Sequence, residues 1–250
     1  MKALILAAGY ATRLYPLTKE YPKPLLEVGK RPIINYIVDK LEALDDIDEI
    51  IVVTNSKFIS KFKNWLKHLD SSKRISLVDD LTKSLSDRRG AIGDMNFAIN
   101  KRRLKDDLIV LGGDNLFNTG LKKFFSFVKG NNNPVIGVYN IKDRRQAKKY
   151  GVIKLDKDNR VVDFKEKPEK PASSLVAMCL YYFPKEKLRL VGEYFKSKAN
   201  KRDATGFYID WLSKKAAVYG FVFDGFWYDI GDYKFYRQAK QRLMRKQRPA

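Results

Sequence analysis

Short, almost unbroken apolar runs alternate with longer stretches in which apolar residues return every three or four positions. The runs at 2–7, 50–54, 75–78, 107–112 and 134–139 read as buried strands. The stretches near 33–44, 57–69, 91–102 and 119–129 read as helices with one apolar face. This alternation predicts a parallel sheet covered on both faces, with ligands at the C-terminal ends of its strands. The pattern changes after Tyr150. Val152–Leu155 and Arg160–Phe164 flank Asp156-Lys157-Asp158-Asn159, a hairpin signal. A longer strand is expected over Leu175–Phe183, helices near 185–198 and 206–215, and a strand at 217–223. No internal repeat or low-complexity linker divides the chain, so one continuous α/β domain over 1–250 is expected.

Composition narrows the chemistry. The 250 residues are 44% apolar and 13% aromatic, enough for a sizeable core. The apolar runs are far too short for a membrane span. Met1-Lys2 leads straight into a strand without the layout of a secretory leader, so a cytoplasmic location is expected. One cysteine, Cys179, excludes an internal disulfide and a cysteine-based metal cluster. One histidine, His68, in a Lys-rich helical stretch, reads as a solvated surface residue. The net charge of +21 has three readings: a nucleic-acid partner, anionic substrates drawn in by the field, or a Lys-rich surface. The densest basic run, Lys234 to Arg248, contains Arg237, Lys240, Arg242, Arg245 and Lys246. Phe235, Ala239 and Leu243 within it predict a docked terminal helix with a basic outer face.

Several short segments carry candidate chemistry. After the first strand come Leu6-Ala7-Ala8-Gly9, then Ala11-Thr12-Arg13 and later Pro22-Lys23-Pro24. Small residues leave backbone N–H groups open to an anion, and Arg13 and Lys23 add positive charge. The same spacing also suits a tight turn with two solvated cations. Asp114 follows an apolar strand through Gly112-Gly113, where a carboxylate could hold Mg²⁺ against phosphates or simply cap a turn. Glu166-Lys167-Pro168 ends a strand and, taken alone, is an ordinary charged turn. Asp229, in an aromatic-rich turn, means little by itself, and Asp232 is expected to cap the helix after it.

Taken together, Leu6-Ala7-Ala8-Gly9-x-Ala11-Thr12-Arg13-Leu14-x-Pro16-Leu17-Thr18 and Pro22-Lys23-Pro24-Leu25-Leu26 resemble the signature of nucleotidyltransferases that activate sugar 1-phosphates, such as the glucose-1-phosphate thymidylyl- and uridylyltransferases. The resemblance implies a three-layer α/β/α, Rossmann-like fold with a mixed, mostly parallel central sheet. Residues 1–140 would be its nucleotide-binding half, 141–232 its acceptor-binding half, and 233–250 a basic C-terminal helix. It further implies an NTP held by Leu6, Ala8, Gly9, Arg13, Lys23, Gly90 and Asp114. Tyr150, Gly151, Glu166 and Lys167 would hold a sugar 1-phosphate, and Asp114 and Asp229 one Mg²⁺. Arg13, Lys23 and Lys167 would be the catalytic cations. Specific nucleic-acid or membrane partners are not expected, and a homo-oligomer stays open. Ala8 and Ala11 stand where the family has glycines. The wording at 89–93, at Met178-Cys179 and at 203–206 also departs from it, leaving base and acceptor open. The same-fold alternative is a cytidylyltransferase for a phospho-alcohol such as phosphocholine, with a cage drawn from Tyr181, Tyr182, Trp211, Trp227 and Tyr228. A non-catalytic regulatory or nucleic-acid-binding member is the other.

Overall fold

The structure, a computed structural model, describes residues 1–197 and 203–246. In its first half, β1 (Lys2–Leu6) leads through two helical turns to the ribbon β2 (Glu27–Val28) and β3 (Arg31–Pro32), then α1 (Ile33–Glu42), β4 (Glu49–Thr54), α2 (Ile59–Lys67) and β5 (Arg74–Asp79). After α3 (Ala91–Arg102) come β6 (Leu108–Gly112), β7 (Asn115–Phe117), α4 (Lys122–Val128), β8 (Val135–Asn140) and α5 (Arg144–Ala147). The hairpin β9 (Gly151–Leu155) and β10 (Val161–Glu166) precedes β11 (Leu175–Phe183), α6 (Arg189–Lys196) and α7 (Thr205–Ser213). The chain closes with β12 (Tyr219–Phe223), β13 (Trp227–Asp229) and α8 (Tyr233–Lys246).

One main sheet runs β10-β9-β11-β6-β1-β4-β5, with β8 beside β11 and β12 beside β8. The pairs of β1, β4, β5 and β6 are parallel, as is β8 with β12. Only β11 and β10 run against the others, so the sheet is mixed but mostly parallel. Alternation along β1 and β6 sorts their side chains to two faces. Ala3, Ile5, Ile109 and Leu111 pack with Ile34, Ile37 and Phe62 of α1 and α2. Leu4, Leu108 and Val110 pack with Ile92, Met95 and Tyr208 of α3 and α7. Helices on both faces make the fold a three-layer α/β/α sandwich.

Predicted strands and helices fall where expected to within a few residues. The predicted helix near 185–198 starts with a single helical turn before α6, and its last position lies outside the described residues. His68 is exposed. The terminal helix docks, with one correction. Its inward stripe is the buried Ala239 with Tyr236 and Leu243, packed against Leu14, Val28 and Ile230. Phe235 lies outside that stripe, with the Lys149 ammonium 5.2 Å from its ring. Asp232 Oδ1 caps α8 by accepting from the Phe235 N–H at 3.0 Å. Lys234, Arg237, Lys240 and Arg242 are exposed, and Arg248 lies outside the described residues.

The short ribbon of β7 and β13 was not visible in the pattern, because three residues per strand are too few to show a period. It matters most for the site: its register sets Asp229 opposite Asn115.

Candidate active site

The C-terminal ends of β1 and β6 open into a cleft of about 590 Å³. Leu6, Ala8, Gly9, Arg13, Gly90, Asp114, Tyr150 and Asp229 all line it. The loop after β1 is pinned from behind. Thr54 Oγ1 donates to the Ala7 carbonyl at 3.3 Å, and Asn55 Nδ2 donates to the Ala8 carbonyl at 2.8 Å. Ala11 stands in the left-handed region, φ 47°, and its carbonyl accepts from Thr18 Oγ1 at 2.8 Å. The N–H groups of Gly9 and Ala11 have no acceptor among the described residues. A fixed loop with open N–H groups is what an anion needs.

Two carboxylates meet on the opposite wall. Asp114 sits at the turn between β6 and β7, and Asp229 at the end of β13. The Ile230 N–H donates to the Asp114 carbonyl at 3.4 Å. Asn115 positions both: its Nδ2 donates to the Cys179 carbonyl at 3.0 Å, and Trp227 Nε1 donates to its Oδ1 at 2.8 Å. A Cβ on Gly113 would lie 3.0 Å from the Leu6 carbonyl and 3.1 Å from Pro24, so glycine lets the Lys23-Pro24 loop close on β1. Lys23 is thereby mostly buried and ion-paired to Asp114. Burial alone would lower its pKa, but Asp114 and Asp229 outweigh that and raise it, so Lys23 stays charged. Burial and the charge of Asp114 push Asp229 up to about 6, against Lys23, Arg13 and Lys167. Arg13 is exposed. A Cβ on Gly231 would lie at ordinary contact distance from both Arg13 Nη2, 3.7 Å, and Asp229 Oδ2, 3.8 Å, so both groups flank that backbone.

This donor set suits Mg²⁺. It is all oxygen, and a like-charged pair at the cleft is relieved by a hard dication. Among the described residues no cluster of three or more His, Cys, Asp or Glu could hold a metal. The remaining ligands would then be phosphate oxygens and water, the usual arrangement for Mg²⁺.

Lys23, Gly151, Glu166 and Lys167 are not among the residues that line this cleft. Lys23 pairs with Asp114 instead. Glu166 lies between Gly151 and Gly206, its side chain 8% exposed, 3.8 Å from Lys167 Nζ. Burial raises its pKa and Lys167 opposes this. Lys167, 57% exposed, takes a left-handed backbone, φ 47°, and its N–H donates to the Tyr150 carbonyl at 3.0 Å. The Tyr150 ring packs on Trp227 at 5.2 Å, and burial raises its hydroxyl pKa. Cys179 lines the cleft at a bulge of β11, φ 53°, and burial followed by Asp114 pushes its thiol up to about 12. The aromatics considered for a cage do not converge. Tyr181 and Tyr182 are core residues, Trp211 stacks on Tyr208, and only Trp227 of the five reaches the cleft.

Sequence reasoning missed a second acid pair. Asp80 follows β5 and Asp94 lies one turn into α3, behind Gly90, whose φ is 75°. Asp80 Oδ1 accepts from the Thr82 N–H at 2.7 Å and from its hydroxyl at 2.8 Å. Asp94, 6% exposed, lines the cleft, whereas Asp80, 1% exposed, does not. Burial and then Asp80 push Asp94 up to about 8. An aspartate inside an apolar helix face was the available signal.

Fold and site together define a three-layer α/β/α protein with an anion-ready cleft at the ends of its parallel strands. The chain belongs to the nucleotidyl transferase family, whose model matches residues 2–246. It is 30% identical over 234 residues to the bifunctional protein GlmU of Methanocaldococcus jannaschii, covering 92% of this chain and 51% of that one. A protein of Sulfolobus acidocaldarius, provisionally named a mannose-1-phosphate guanyltransferase, is 30% identical over 98% of this chain and 63% of its own length. The chain thus spans about half to two thirds of the curated relatives it matches. A UDP-glucose pyrophosphorylase solved with UDP-glucose shares the fold at a TM-score of 0.81 and 22% identity, covering 98% and 99% of the two chains.

Proposed function

We propose that the chain is a Mg²⁺-dependent nucleotidyltransferase that joins an NTP to a sugar 1-phosphate and releases pyrophosphate. The observation that carries this reading is the meeting of Asp114 and Asp229, 115 positions apart in sequence, beside Lys23 and Arg13 and opposite open loop N–H groups. An acceptor phosphate oxygen attacks the α-phosphorus, the α–β P–O bond breaks, and pyrophosphate leaves. That oxygen is already ionised near neutral pH, so no general base is needed. Positioning and charge neutralisation then supply the catalysis. Mg²⁺, when bound by the two aspartates, neutralises charge on the phosphate oxygens. The loop N–H groups and Arg13 hold the triphosphate, and Lys23 sets the charge of the aspartate pair. Lys167, exposed beside Glu166, holds the acceptor phosphate, while Glu166 and Gly151 shape the sugar pocket.

The +21 charge raises the local concentration of anionic substrates. No helix among the described residues is long and apolar enough to cross a membrane. The test is pyrophosphate release from each of four NTPs with several sugar phosphates and with phosphocholine. Release that needs Mg²⁺ and a sugar phosphate is expected. Release only with phosphocholine would transfer the assignment to the phospho-alcohol reaction, and none with any pair would refute it.

A further inference from the structure

A second concavity, of about 650 Å³, lies where α6 and the helical turn Lys185–Lys187 before it pack on the C-terminal part of α3. None of the residues that line it lines the catalytic cleft. The two helices cross in opposite directions. A Cβ on Gly93 would lie 3.4 Å from the Phe195 ring, and one on Gly192 3.7 Å from Asn96 Oδ1. The groove therefore has two ends, with Phe195 and Asn96 at one and Leu104 and Lys105 at the other.

The ends differ in chemistry. Along the floor, Ile99, Leu104 and Phe195 are half-buried and Leu188 is buried, which leaves apolar surface open to a flat ligand. Asn100 Nδ2 donates to Asn96 Oδ1 at 3.2 Å. The pair thus keeps one amide donor and one amide acceptor side by side, the combination that a nucleobase edge also carries. At the far end Lys105 and Lys185 are exposed neighbours that also share a small pocket with Asp106 and Asp107. Asp107 is engaged, accepting from the Lys185 N–H at 2.9 Å and from the Tyr182 hydroxyl at 3.2 Å. Lys105 has no ion pair among the described residues. Lys185 Nζ lies 3.9 Å from Glu186 Oε1, an exposed pair that contributes little and yields to a stronger anion. Arg189 is ion-paired to Glu193, and Lys196 is the remaining cation, toward the Phe195 end. Four cations against two acids leave the groove net positive.

We propose that this groove is a second nucleotide site. It takes a nucleoside phosphate, with the base against Phe195 and the two amides and the phosphates at Lys105 and Lys185. The site acts on the cleft through α3. Gly90, Ala91 and Asp94, at the start of that helix, line the cleft, while Asn96, Ile99 and Asn100 line the groove. A ligand wedged between α3 and α6 displaces α3 as a packed body, so the cleft feels it. This coupling rests on the transferase reading above; the binding does not.

The experiment is calorimetric titration of the full chain with ADP and with pyrophosphate, followed by initial rates against NTP concentration. ADP is expected to fill two sites per chain. Lys105→Glu and Lys185→Glu, both at exposed positions, should each weaken one site about tenfold or more, the effect of losing a charged hydrogen bond, and leave the other unchanged. Pyrophosphate, lacking a base, should fill only the cleft. Rates should depart from a hyperbola in the parent and follow one in Lys105→Glu. A single ADP per chain, or two sites that both ignore the lysine variants, would overturn the groove and leave the transferase reading standing. Pyrophosphate held in the groove as tightly as ADP would overturn the role of the apolar floor. Two ADP sites with hyperbolic rates in the parent would overturn the coupling. Two ADP sites without pyrophosphate release from any substrate pair would sink the transferase reading and keep the groove.

Discussion

Two glycines beside Glu166 should respond oppositely to the same methyl group. In Gly206→Ala the new Cβ would lie 1.7 Å from Glu166 Oε2 and 2.8 Å from its Cδ. In Gly151→Ala it would lie 2.4 Å from Cζ of Phe164, whose exposure is 1%. Neither contact can persist, so something must move. At Gly206 Cε1 of Phe164 also lies 3.1 Å away and must give by a few tenths of an ångström, but the main obstacle is the tip of a flexible side chain that can rotate toward water and Lys167. Its departure is nearly free, and alanine in the first turn of α7 returns up to about 1 kcal/mol of helix propensity. Stability should stay within about 1 kcal/mol of the parent, roughly 2–4 °C in Tm for a chain this size. The acceptor, however, loses its contact with Glu166. A hydrogen bond to a charged group contributes roughly 1.5–3 kcal/mol, so acceptor KM should rise roughly 10- to 150-fold with NTP KM unchanged. At Gly151 the obstacle is a core ring with no free volume, and overpacking costs about 1–3 kcal/mol. That variant should melt several degrees lower. Thermal denaturation and steady-state kinetics of both variants, with Glu166→Gln as control, test this. An acceptor KM unchanged in Gly206→Ala would refute the placement of Glu166, and an unchanged Tm in Gly151→Ala would refute the rigidity of Phe164.

Asp114→Asn and Asp229→Asn should each leave the fold intact and cut turnover by more than the roughly 10–100-fold typical of outer-shell ligand partners; the double variant should be little worse, since both serve one ion, and Mg²⁺-dependent turnover near the parent's in either single variant would refute the metal assignment. Lys167→Ala should raise acceptor KM while leaving NTP binding nearly unchanged, and the reverse pattern in steady-state kinetics would place Lys167 on the nucleotide side. Asp94, held up at about 8 against an ordinary 3.8, binds its proton more tightly folded than unfolded. The stability it contributes therefore falls as pH rises between those values. Denaturant titrations should show Asp94→Asn gaining on the parent across that window, and a pH-independent difference would contradict the buried acid. Duplex DNA binding should be weak and vanish at physiological salt, which a filter-binding salt titration checks.

Sequence alone determined the alternation of elements. Apolar runs such as Ile50–Val53 are buried whichever neighbour they take, and the hairpin at Asp156–Asn159 is set by local turn chemistry. The loop after β1 was equally legible, because small residues and flanking cations are local features. What only the tertiary structure decided is which distant residues meet. The register of two three-residue strands sets Asp229 opposite Asn115, next to Asp114 in the chain, and Lys23 reaches Asp114 because Gly113 lets one loop close on another. Glu166 and Lys167, adjacent in sequence, separate into a buried carboxylate and an exposed cation because strand pleating sends one side chain under Gly206 and a left-handed backbone turns the other outward. The Asp80–Asp94 pair is the clearest case. Each residue reads as an ordinary polar position along the chain, and only the approach of α3 to the end of β5 buries the two acids near each other, which raises the pKa of both.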